Sequence, residues 1–414
     1  MPTTLKRRWT PAAGAYGGRR SRLAFDFDAY VPDHIADLEL TLPADIASVL
    51  TEAEVAVREL NRQGHQLGAL ETLARQLLRA EAVASSRIEG LEMSQRRLAL
   101  ASVGVLAADA SARSVLGNVR AMEQAVALGT RRRPPQRKDI LALHHTLFVG
   151  TRDERIAGRV RTMQNWVGGD ELSPRNAEFI PPPPELVSEL LDDLGAFMAR
   201  DDLPAVAQAA IAHAQFETIH PFADGNGRVG RCLIHVVLRQ RGLTPAVVPP
   251  VSLVLATDSA SYIRGLTAYR SRAVAEWVAV FAQALRTSAA HSAAFGMRIA
   301  ELIAELRVRA GEPRAGSAAG KIIEMLPATP IFDVRTAAAQ VGVVYEAARL
   351  AVERLEAAGV IRAVPGRQRD RLYEAVAVFD LIDSFEAELA TPHGARRPQR
   401  RAPRAARAPS PRRR

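Results

Sequence analysis

A segment of twelve residues, HPFADGNGRVGR, begins at His220 and holds most of the side chains here that could carry out a reaction. Histidine titrates near neutral pH and is the side chain best suited to take or give a proton there. Asp224 offers the hard carboxylate oxygen that Mg²⁺ binds when it bridges phosphates. A candidate base and a candidate metal ligand therefore stand four positions apart.

The second half of the segment is suited to holding an anion. Gly225, Asn226 and Gly227 let backbone N–H groups converge, because glycine admits the conformations that such an anion-binding turn requires. A helix predicted directly after them would point its positive end at the same place. Arg228 and Arg231 would project from the first turn of that helix and hold further phosphate oxygens. Together these residues predict phosphoryl or nucleotidyl transfer.

Two other interpretations of the glycines are weaker. The spacing Gly225-x-Gly227-x-x-Gly230 also occurs in dinucleotide-binding folds, but there a strand precedes it and an acidic residue follows downstream. Here residues 204–219 have helical periodicity, and no acidic residue lies between Asp224 and Asp258. A solvated glycine turn with an incidental histidine would leave the remaining residues of the segment unexplained.

The segment resembles the motif of the Fic (Fic/Doc) family, His-Pro-Phe-x-Asp/Glu-Gly-Asn-Gly-Arg-x-x-Arg, with every defined position filled. The resemblance covers about residues 25–290, through the stretches HAQFETIH, GRVRTMQNWVGG, EFIPPPP and EAVASSRIEG. It implies an all-α fold: a Fic-type helical core with a short β-hairpin flap, which agrees with the helical periodicity of the chain.

The resemblance implies a protein adenylyltransferase in a regulated form. In such enzymes the motif histidine, here His220, deprotonates a Ser, Thr or Tyr hydroxyl of a target protein, which attacks the α-phosphate of ATP. Self-modification is included. By the same resemblance Asp224 holds Mg²⁺, and the phosphates are bound by Asn226 with the Gly225–Gly227 backbone (α), Arg228 (β) and Arg231 (γ). The glycines argue against the Doc-type kinase variant. Removal of AMP, or transfer of another nucleotide, stays open.

The stretch SSRIEG, residues 85–90, forms the end of a predicted helix that begins near Leu70 and stops at Gly90. Glu89 falls in the last turn, where the helix dipole disfavours a carboxylate. Some members of the family that this chain resembles have an inhibitory helix of pattern Ser/Thr-x-x-x-Glu-Gly/Asn, which Ser85, Glu89 and Gly90 satisfy. The resemblance implies that Glu89 pairs with Arg231 and withdraws it from the γ-phosphate.

The stretch from Asn165 to Pro184 has paired glycines, a Ser-Pro turn signal and four successive prolines, which indicate a loop or irregular hairpin. In the family it resembles, a flap at this place clamps the target backbone as an added strand. Phe179 and Ile180 would belong to that flap, or would simply pack a surface loop down. After the motif, ATDSASYIRGL departs from the family's Asn and Tyr-Tyr, which leaves the nucleotide base undetermined.

Residues 317–385 have the order helix, helix, glycine turn, helix and two short strands, which predicts a winged helix-turn-helix. The predicted recognition helix, Val344–Ala357, mixes arginines with glutamates, so DNA contact and a protein or homodimer contact are equally favoured. Wing residues Arg367, Arg369 and Arg371 are better placed for phosphates. A DNA-binding regulator is therefore a further candidate function.

The net charge of +10 belongs almost entirely to the C-terminal end. Residues 391–414 contain nine arginines and no acidic residue, so the rest of the chain carries +1. Such a tail cannot form a core and is predicted to be disordered, with weak nucleic-acid contact as the alternative. No apolar run approaches the ~20 residues that cross a bilayer, so we expect no membrane partner. The single cysteine excludes an internal disulfide and suits a cytoplasmic protein.

The predicted organisation has six parts. They are an irregular N-terminal segment (1–25), a helical extension with the inhibitory helix (26–110), a Fic-type catalytic core (111–290), a helical linker (291–316), a winged helix-turn-helix (317–385) and a disordered Arg/Pro-rich tail (386–414).

Overall fold

The computed structural model describes residues 2–11, 23–66, 70–169, 172–314, 316–365 and 371–390, with side chains left out for 64–66. The arginine-rich tail beyond residue 390 and the wing residues Arg367 and Arg369 lie outside these described residues, so the predictions made for them stay predictions. Among the described residues, none of the helices combines the length and the apolar character needed to cross a membrane.

The described chain is predominantly helical, which confirms the predicted helical class. The helices are α1 Ala44–Gln66, α2 Leu70–Ile88, α3 Gln95–Ser102, α4 Ala110–Gly129, α5 Arg137–Phe148, α6 Val187–Met198, α7 Ala205–Ile219, α8 Asn226–Gln240, α9 Val251–Thr257, α10 Ser259–Arg270, α11 Val274–Arg309, α12 Ala318–Met325, α13 Val334–Val341, α14 Tyr345–Ala357 and α15 Val376–Leu389. α9 and α10 were not predicted. α11 runs without a break through the boundary predicted at 290/291.

Part of the segment predicted as irregular, residues 1–25, forms strands where the structure describes it. β1 (Thr3–Trp9) pairs antiparallel with β2 (Phe25–Val31), in a register that joins Thr3 to Val31 and Trp9 to Phe25. Most side chains of β1 are exposed, so backbone pairing with β2 holds the strand rather than burial. A sequence pattern based on alternating burial therefore had nothing to detect.

The C-terminal unit contains a small sheet of β3 (Ile331–Phe332), β4 (Arg362–Ala363) and β5 (Tyr373–Glu374), with β5 in the middle. α13 and α14 are joined through Gly342, whose φ of 66° ends α13. The predicted order of elements is present, while the winged-helix assignment stays a prediction. The tail boundary at 385/386 is wrong by one turn, because α15 continues to Leu389 and buries its side chain.

The core is centred on α7, every residue of which is buried. A helix that is buried all round has neighbours on every side, and α7 packs against α6, α8 and α11. α8 is buried from Asn226 to Leu238 and also packs against α4. The twelve-residue motif forms the connection between α7 and α8, so the two most buried helices position it.

Candidate functional site

His220 caps the C-terminal end of α7 in the left-handed conformation, with φ 48° and ψ 60°. A non-glycine residue adopts this conformation only when its surroundings hold it there. The carbonyl oxygen of His220 accepts hydrogen bonds from Arg161 Nε at 2.9 Å and Asn165 Nδ2 at 3.3 Å. These two side chains therefore hold the backbone of the candidate base.

Arg161 joins the motif loop to the base of the flap. Its backbone N–H donates to Pro221 O at 3.0 Å, and its guanidinium donates to Met163 O at 3.2 Å and to Pro182 O. Burial lowers the pKa of Arg161 to about 10, which leaves the side chain charged at neutral pH. A buried guanidinium surrounded by carbonyl oxygens fixes the two segments relative to each other.

The imidazole of His220 is arranged to act as a base. Nδ1 lies 3.3 Å from the carbonyl oxygen of Glu217, and a carbonyl can only accept, so the proton of the neutral ring is on Nδ1. The lone pair of Nε2 is then available to take a proton. Burial lowers the pKa of His220 to about 4, which keeps the ring neutral at physiological pH.

The loop between His220 and α8 is closed by Asn226. Its Oδ1 accepts from Phe222 N at 2.8 Å and its Nδ2 donates to Phe222 O at 2.9 Å. Gly225 has φ 78°, and a Cβ there would lie 2.6 Å from the ring of Phe148. Since the first N–H groups of a helix have no acceptor within it, this closure leaves the N-terminus of α8 as an anion-binding turn.

Asp224 faces solvent at the rim of this turn, with 60% of its side chain exposed. Its Oδ1 accepts from Gly225 N at 2.6 Å, and its Oδ2 lies 3.5 Å from Arg228 Nη2. An accessible carboxylate next to an anion-binding turn fits a Mg²⁺ ion that also binds phosphate oxygens. The described residues contain no group of three or more His, Cys, Asp or Glu side chains that could hold a metal ion without a ligand.

His144 holds the loop between His220 and α8 in place through hydrogen bonds and ring stacking. Its Nδ1 accepts from Gly158 N at 2.9 Å, so Nε2 carries the proton and donates to Asp224 O at 3.1 Å. The ring stacks on Phe222 with centroids 3.8 Å apart. Burial lowers the pKa of His144 to about 4, so this histidine is a neutral supporting residue.

The two arginines of the motif are almost completely buried, Arg228 at 3% and Arg231 at 1% exposure. Arg228 Nη1 donates to Ser114 Oγ at 2.9 Å, and its guanidinium lies 5.2 Å from the ring centre of Phe148. Arg231 donates from Nε to Ser85 Oγ at 2.9 Å and from Nη2 to Ser85 O at 2.7 Å. Other elements of the fold therefore orient both cations.

Glu89 lies against the anion-binding turn and contacts Arg231, with Oε1 2.7 Å from Nη2. Burial alone would raise the pKa of Glu89, but the charge and hydrogen bond of Arg231, together with the charge of Arg228, outweigh it, so the pKa lies below its usual value. A Cβ on Gly227 would lie 2.0 Å from Glu89 Oε1, so the contact depends on the glycine. The structure thus brings together Ser85, Glu89 and Arg231, while Gly90, with φ 78°, ends α2.

The end of α2 is also attached to the C-terminal unit. Arg87 Nη2 donates to Glu386 Oε2 at 3.1 Å, and Gln95 Nε2 donates to Glu386 Oε1 at 2.7 Å. Further back on α2, Arg79 donates to Ala328 O at 3.2 Å. The helix that carries Glu89 is therefore held from both sides.

Among the described residues of the flap, an antiparallel bridge joins Val167 to Phe179. Phe179 lies under the guanidinium of Arg270, 3.7 Å from its Cζ, and Ile180 O accepts from Tyr30 N at 2.9 Å. Phe179 and Ile180 are half-buried, so their side chains partly pack the flap down. A cavity of about 780 Å³ opens between the flap and the motif, lined by Ile156, Val160, Met163, Trp166 and Ala223 among others.

The residues after the motif that replace the family's base-binding side chains are occupied within the protein. Tyr262 OH lies 2.8 Å from His213 Nε2 and its ring stacks on that imidazole. Asp258 caps α10 by accepting from Ser261 N at 3.0 Å and also bonds its hydroxyl.

Sequence reasoning missed three residues of this site: Arg161, Asn165 and Glu217. The first two belong to GRVRTMQNWVGG, which contributed to the family resemblance but received no role. Glu217 stands three positions before His220, one turn back on α7, and that spacing was the available signal. Burial of its carboxylate, to 7% exposure, could be seen only in the structure.

Comparison with known families agrees with this site. Residues 134–238 match the model of the Fic/DOC family, and residues 47–127 match that of the Fic/DOC family N-terminal region. The first match contains the whole motif and the second contains the stretch SSRIEG. The two matches confirm that this chain carries a Fic/DOC family domain together with the family's N-terminal region.

The curated relatives match only in part. Protein adenylyltransferase fic-1 of Caenorhabditis elegans is 35% identical over 114 residues, which are 27% of this chain and 20% of that protein. A probable protein adenylyltransferase of Aquifex aeolicus (strain VF5) is 43% identical over 68 residues, 16% of this chain and 21% of that protein. The matches thus cover only about a fifth of the length of these relatives.

A solved structure extends the comparison to the fold. The crystal structure of a Fic family protein from Desulfovibrio desulfuricans G20 has a TM-score of 0.52 at 22% sequence identity. The superposition covers 81% of this chain and 97% of that chain. At this identity the likeness concerns the fold alone.

Proposed function

We propose that this protein transfers AMP from ATP to a hydroxyl side chain of a target protein, including its own. One observation carries the proposal: a neutral histidine with an available Nε2 stands at the edge of an anion-binding turn that two buried arginines flank. The names of the two relatives described above support it, since both are protein adenylyltransferases, the Aquifex protein a probable one.

In the proposed reaction His220 Nε2 takes the proton of the target hydroxyl. The oxygen attacks the α-phosphorus of ATP, the bond from that phosphorus to the bridging oxygen breaks, and pyrophosphate leaves. The first-turn N–H groups of α8 bind the α-phosphate oxygens, while Arg228 and Arg231 bind the β- and γ-phosphates. Mg²⁺ held by Asp224 would offset the negative charge of the phosphates. Phe179 and Ile180 of the flap would position the target backbone.

The contact between Glu89 and Arg231 supports autoinhibition. While Arg231 is bonded to Glu89 and Ser85, it is unavailable to the γ-phosphate, and ATP cannot take the productive orientation. Holding all but about 1% of molecules in the closed form needs ~2.7 kcal/mol. A hydrogen bond to a charged group supplies roughly 1.5–3 kcal/mol, so the upper part of this range reaches the required value.

Radiolabelled ATP tests the proposal. The chain is incubated with Mg²⁺ and ATP labelled at either the α- or the γ-phosphate, and label on protein is measured. We expect α-label only, a rise of up to ~100-fold in Glu89→Gly because the closed form is lost, and loss of the signal by ~10²-fold or more when His220→Ala is added.

Other outcomes would point elsewhere. γ-Label on protein without α-label would indicate a kinase. Unchanged labelling in Glu89→Gly would remove the inhibitory role. Absence of label in Glu89→Gly, with denatured cell proteins as added targets, would contradict AMP transfer.

Removal of AMP is the second candidate, and the position of Glu89 favours it. Its carboxylate lies beside the turn proposed for the α-phosphate and keeps 32% of its side chain exposed, so it could activate a water molecule there. Protein labelled by the Glu89→Gly variant would serve as substrate. Release of AMP by the unmodified chain, but not by Glu89→Gly, is the expected result for this candidate.

A further inference from the structure

We infer that Glu217 is a positioning residue for His220: its carboxylate faces the Nδ1 side of the imidazole and stabilises the positive charge that the ring gains on taking a proton. The inference rests on the proposed function for the direction of proton transfer. It assigns a role to a buried acidic side chain that the motif does not include.

The geometry connects the two residues in two ways. Glu217 Oε2 lies 3.9 Å from His220 Nδ1, and the backbone carbonyl of Glu217 lies 3.3 Å from the same nitrogen. The carbonyl sets which nitrogen carries the proton, and the carboxylate supplies a negative charge behind it. A third group that orients and charge-stabilises a catalytic imidazole is a recurring arrangement in enzymes that use histidine as a base.

A structural role alone does not account for this carboxylate. Glu217 is only 7% exposed, and its Oε1 has no hydrogen-bond partner among the described residues. Among the residues that the structure describes, His220 is the sole basic side chain at ion-pair distance from the carboxylate of Glu217. Leaving a buried carboxylate oxygen without a partner is unfavourable, so an apolar residue at this place on α7 would be more stabilising.

The charges around Glu217 come from three elements, and the imidazole of His213 on α7 lies nearby, since a Cβ on Gly230 would be within 3.0 Å of both Glu217 Oε1 and His213 Nδ1. Arg231 of α8 and Arg270 of α10 lower the pKa of Glu217, while Glu89 at the end of α2 raises it. Burial outweighs them and raises the pKa of Glu217 to about 7. The carboxylate is therefore mostly neutral at pH 6 and mostly charged at pH 8.

This charge state gives the inference a distinctive pH dependence. An opposite charge within 4–6 Å typically moves a pKa by about 1–3 units. The basicity of His220 should rise as Glu217 ionises, so the rate of AMP transfer should increase between pH 6 and pH 8. A residue that only packs α7 would change the rate by the same factor at every pH.

The test uses the full-length chain with Glu89→Gly, so that the site is open. Adding Glu217→Gln, which keeps the shape but not the charge, should lower the labelling rate ~10-fold at pH 8, have little effect at pH 6, and flatten the profile between them. Glu217→Asp should restore part of the rate. Glu276→Gln, an exposed carboxylate-to-amide change on α11, is the matched control and should leave the profile unchanged.

A second measurement is independent of activity. NMR titration of imidazole-labelled histidine, with the His220 signal assigned by its loss in His220→Ala, should show a change in the His220 chemical shift near pH 7 as Glu217 ionises, and Glu217→Gln should remove this step. If Glu89→Gly gives no labelling, the proposed function fails while this titration still tests the contact. An unchanged His220 titration together with an unchanged pH profile, in a variant with the parent's melting temperature, would overturn the inference.

Discussion

Two helices of this molecule carry arginines in opposite ways. On α8, Arg228 and Arg231 are buried and bonded to Ser114 of α4 and to Ser85 of α2. On α14, Arg349 is partly exposed, and its partners are Glu346 and Glu353 of the same helix. A guanidinium held by other elements keeps a fixed direction toward an incoming anion, whereas one neutralised along its own helix offers no net attraction.

The rest of α14 agrees with this contrast. Its charged residues are two arginines and three glutamates, which gives a net charge of −1. Three large apolar residues at its start and on its surface are exposed: Val344, Tyr345 and Leu350. Since DNA affinity depends mainly on cations that neutralise phosphates, the described charges of this helix give it no excess of cations for such contacts.

Making the same substitution on both helices should give the largest difference. Arg231→Met would leave Glu89 and the Ser85 carbonyl without their partner, and we expect a loss of about 3 kcal/mol in the free energy of unfolding, the low end for a broken buried pair because Glu89 is partly exposed. Arg349→Met on α14 should leave the unfolding midpoint unchanged. Urea denaturation of both variants measures the free energy of unfolding. An equal loss in Arg231→Met and Arg349→Met would contradict the contrast between α8 and α14.

A smaller loss of stability is expected from a substitution in the contact between α8 and α7. A Cβ on Gly230 would lie 2.6 Å from Glu217 Oε1 and 3.0 Å from His213 Nδ1. We expect Gly230→Ala to lower the free energy of unfolding by about 1–3 kcal/mol through overpacking. Gly316→Ala, with nothing within 4 Å of its Cβ, is the control from the C-terminal unit. A stable Gly230→Ala protein would mean that α7 and α8 separate easily.

The smallest effect is expected for DNA. Fluorescence anisotropy with a labelled duplex at two salt concentrations should show weak binding that disappears when residues 391–414 are removed, because the net charge lies there. Adding Arg349→Met should change nothing further. Sequence-preferring binding by the shortened chain, lost in Arg349→Met, would reverse the interpretation of α14.

The sequence predicted the helices around the site well, because α5, α7 and α8 are 12, 15 and 15 residues long, are rich in apolar residues and contain no proline. The contact of Glu89 with Arg231 is different. These residues are 142 positions apart, and no periodicity connects them. The prediction of this contact came from the family resemblance, and the structure places the two side chains together.

The features that the sequence missed depend on distant partners. The strand Thr3–Trp9 is stabilised by pairing with β2, and its own residues are mostly exposed. α9 is only seven residues long, too short for a helical repeat to stand out. Arg161 reads as an ordinary surface cation until carbonyl oxygens of the flap and motif are seen around it.

The absence of a side chain at Gly227 limits which mutations could relieve the proposed inhibition. The space that a Cβ would need at residue 227 is taken by the carboxylate of Glu89, with 2.0 Å between them, and the proposed anion would approach the same backbone. The contact of Glu89 with Arg231 and the proposed phosphate contact thus both depend on the absence of a side chain at residue 227. A side chain at residue 227 would disturb both contacts, so we expect that mutation can relieve the proposed inhibition and preserve the site only at Glu89 or elsewhere on α2.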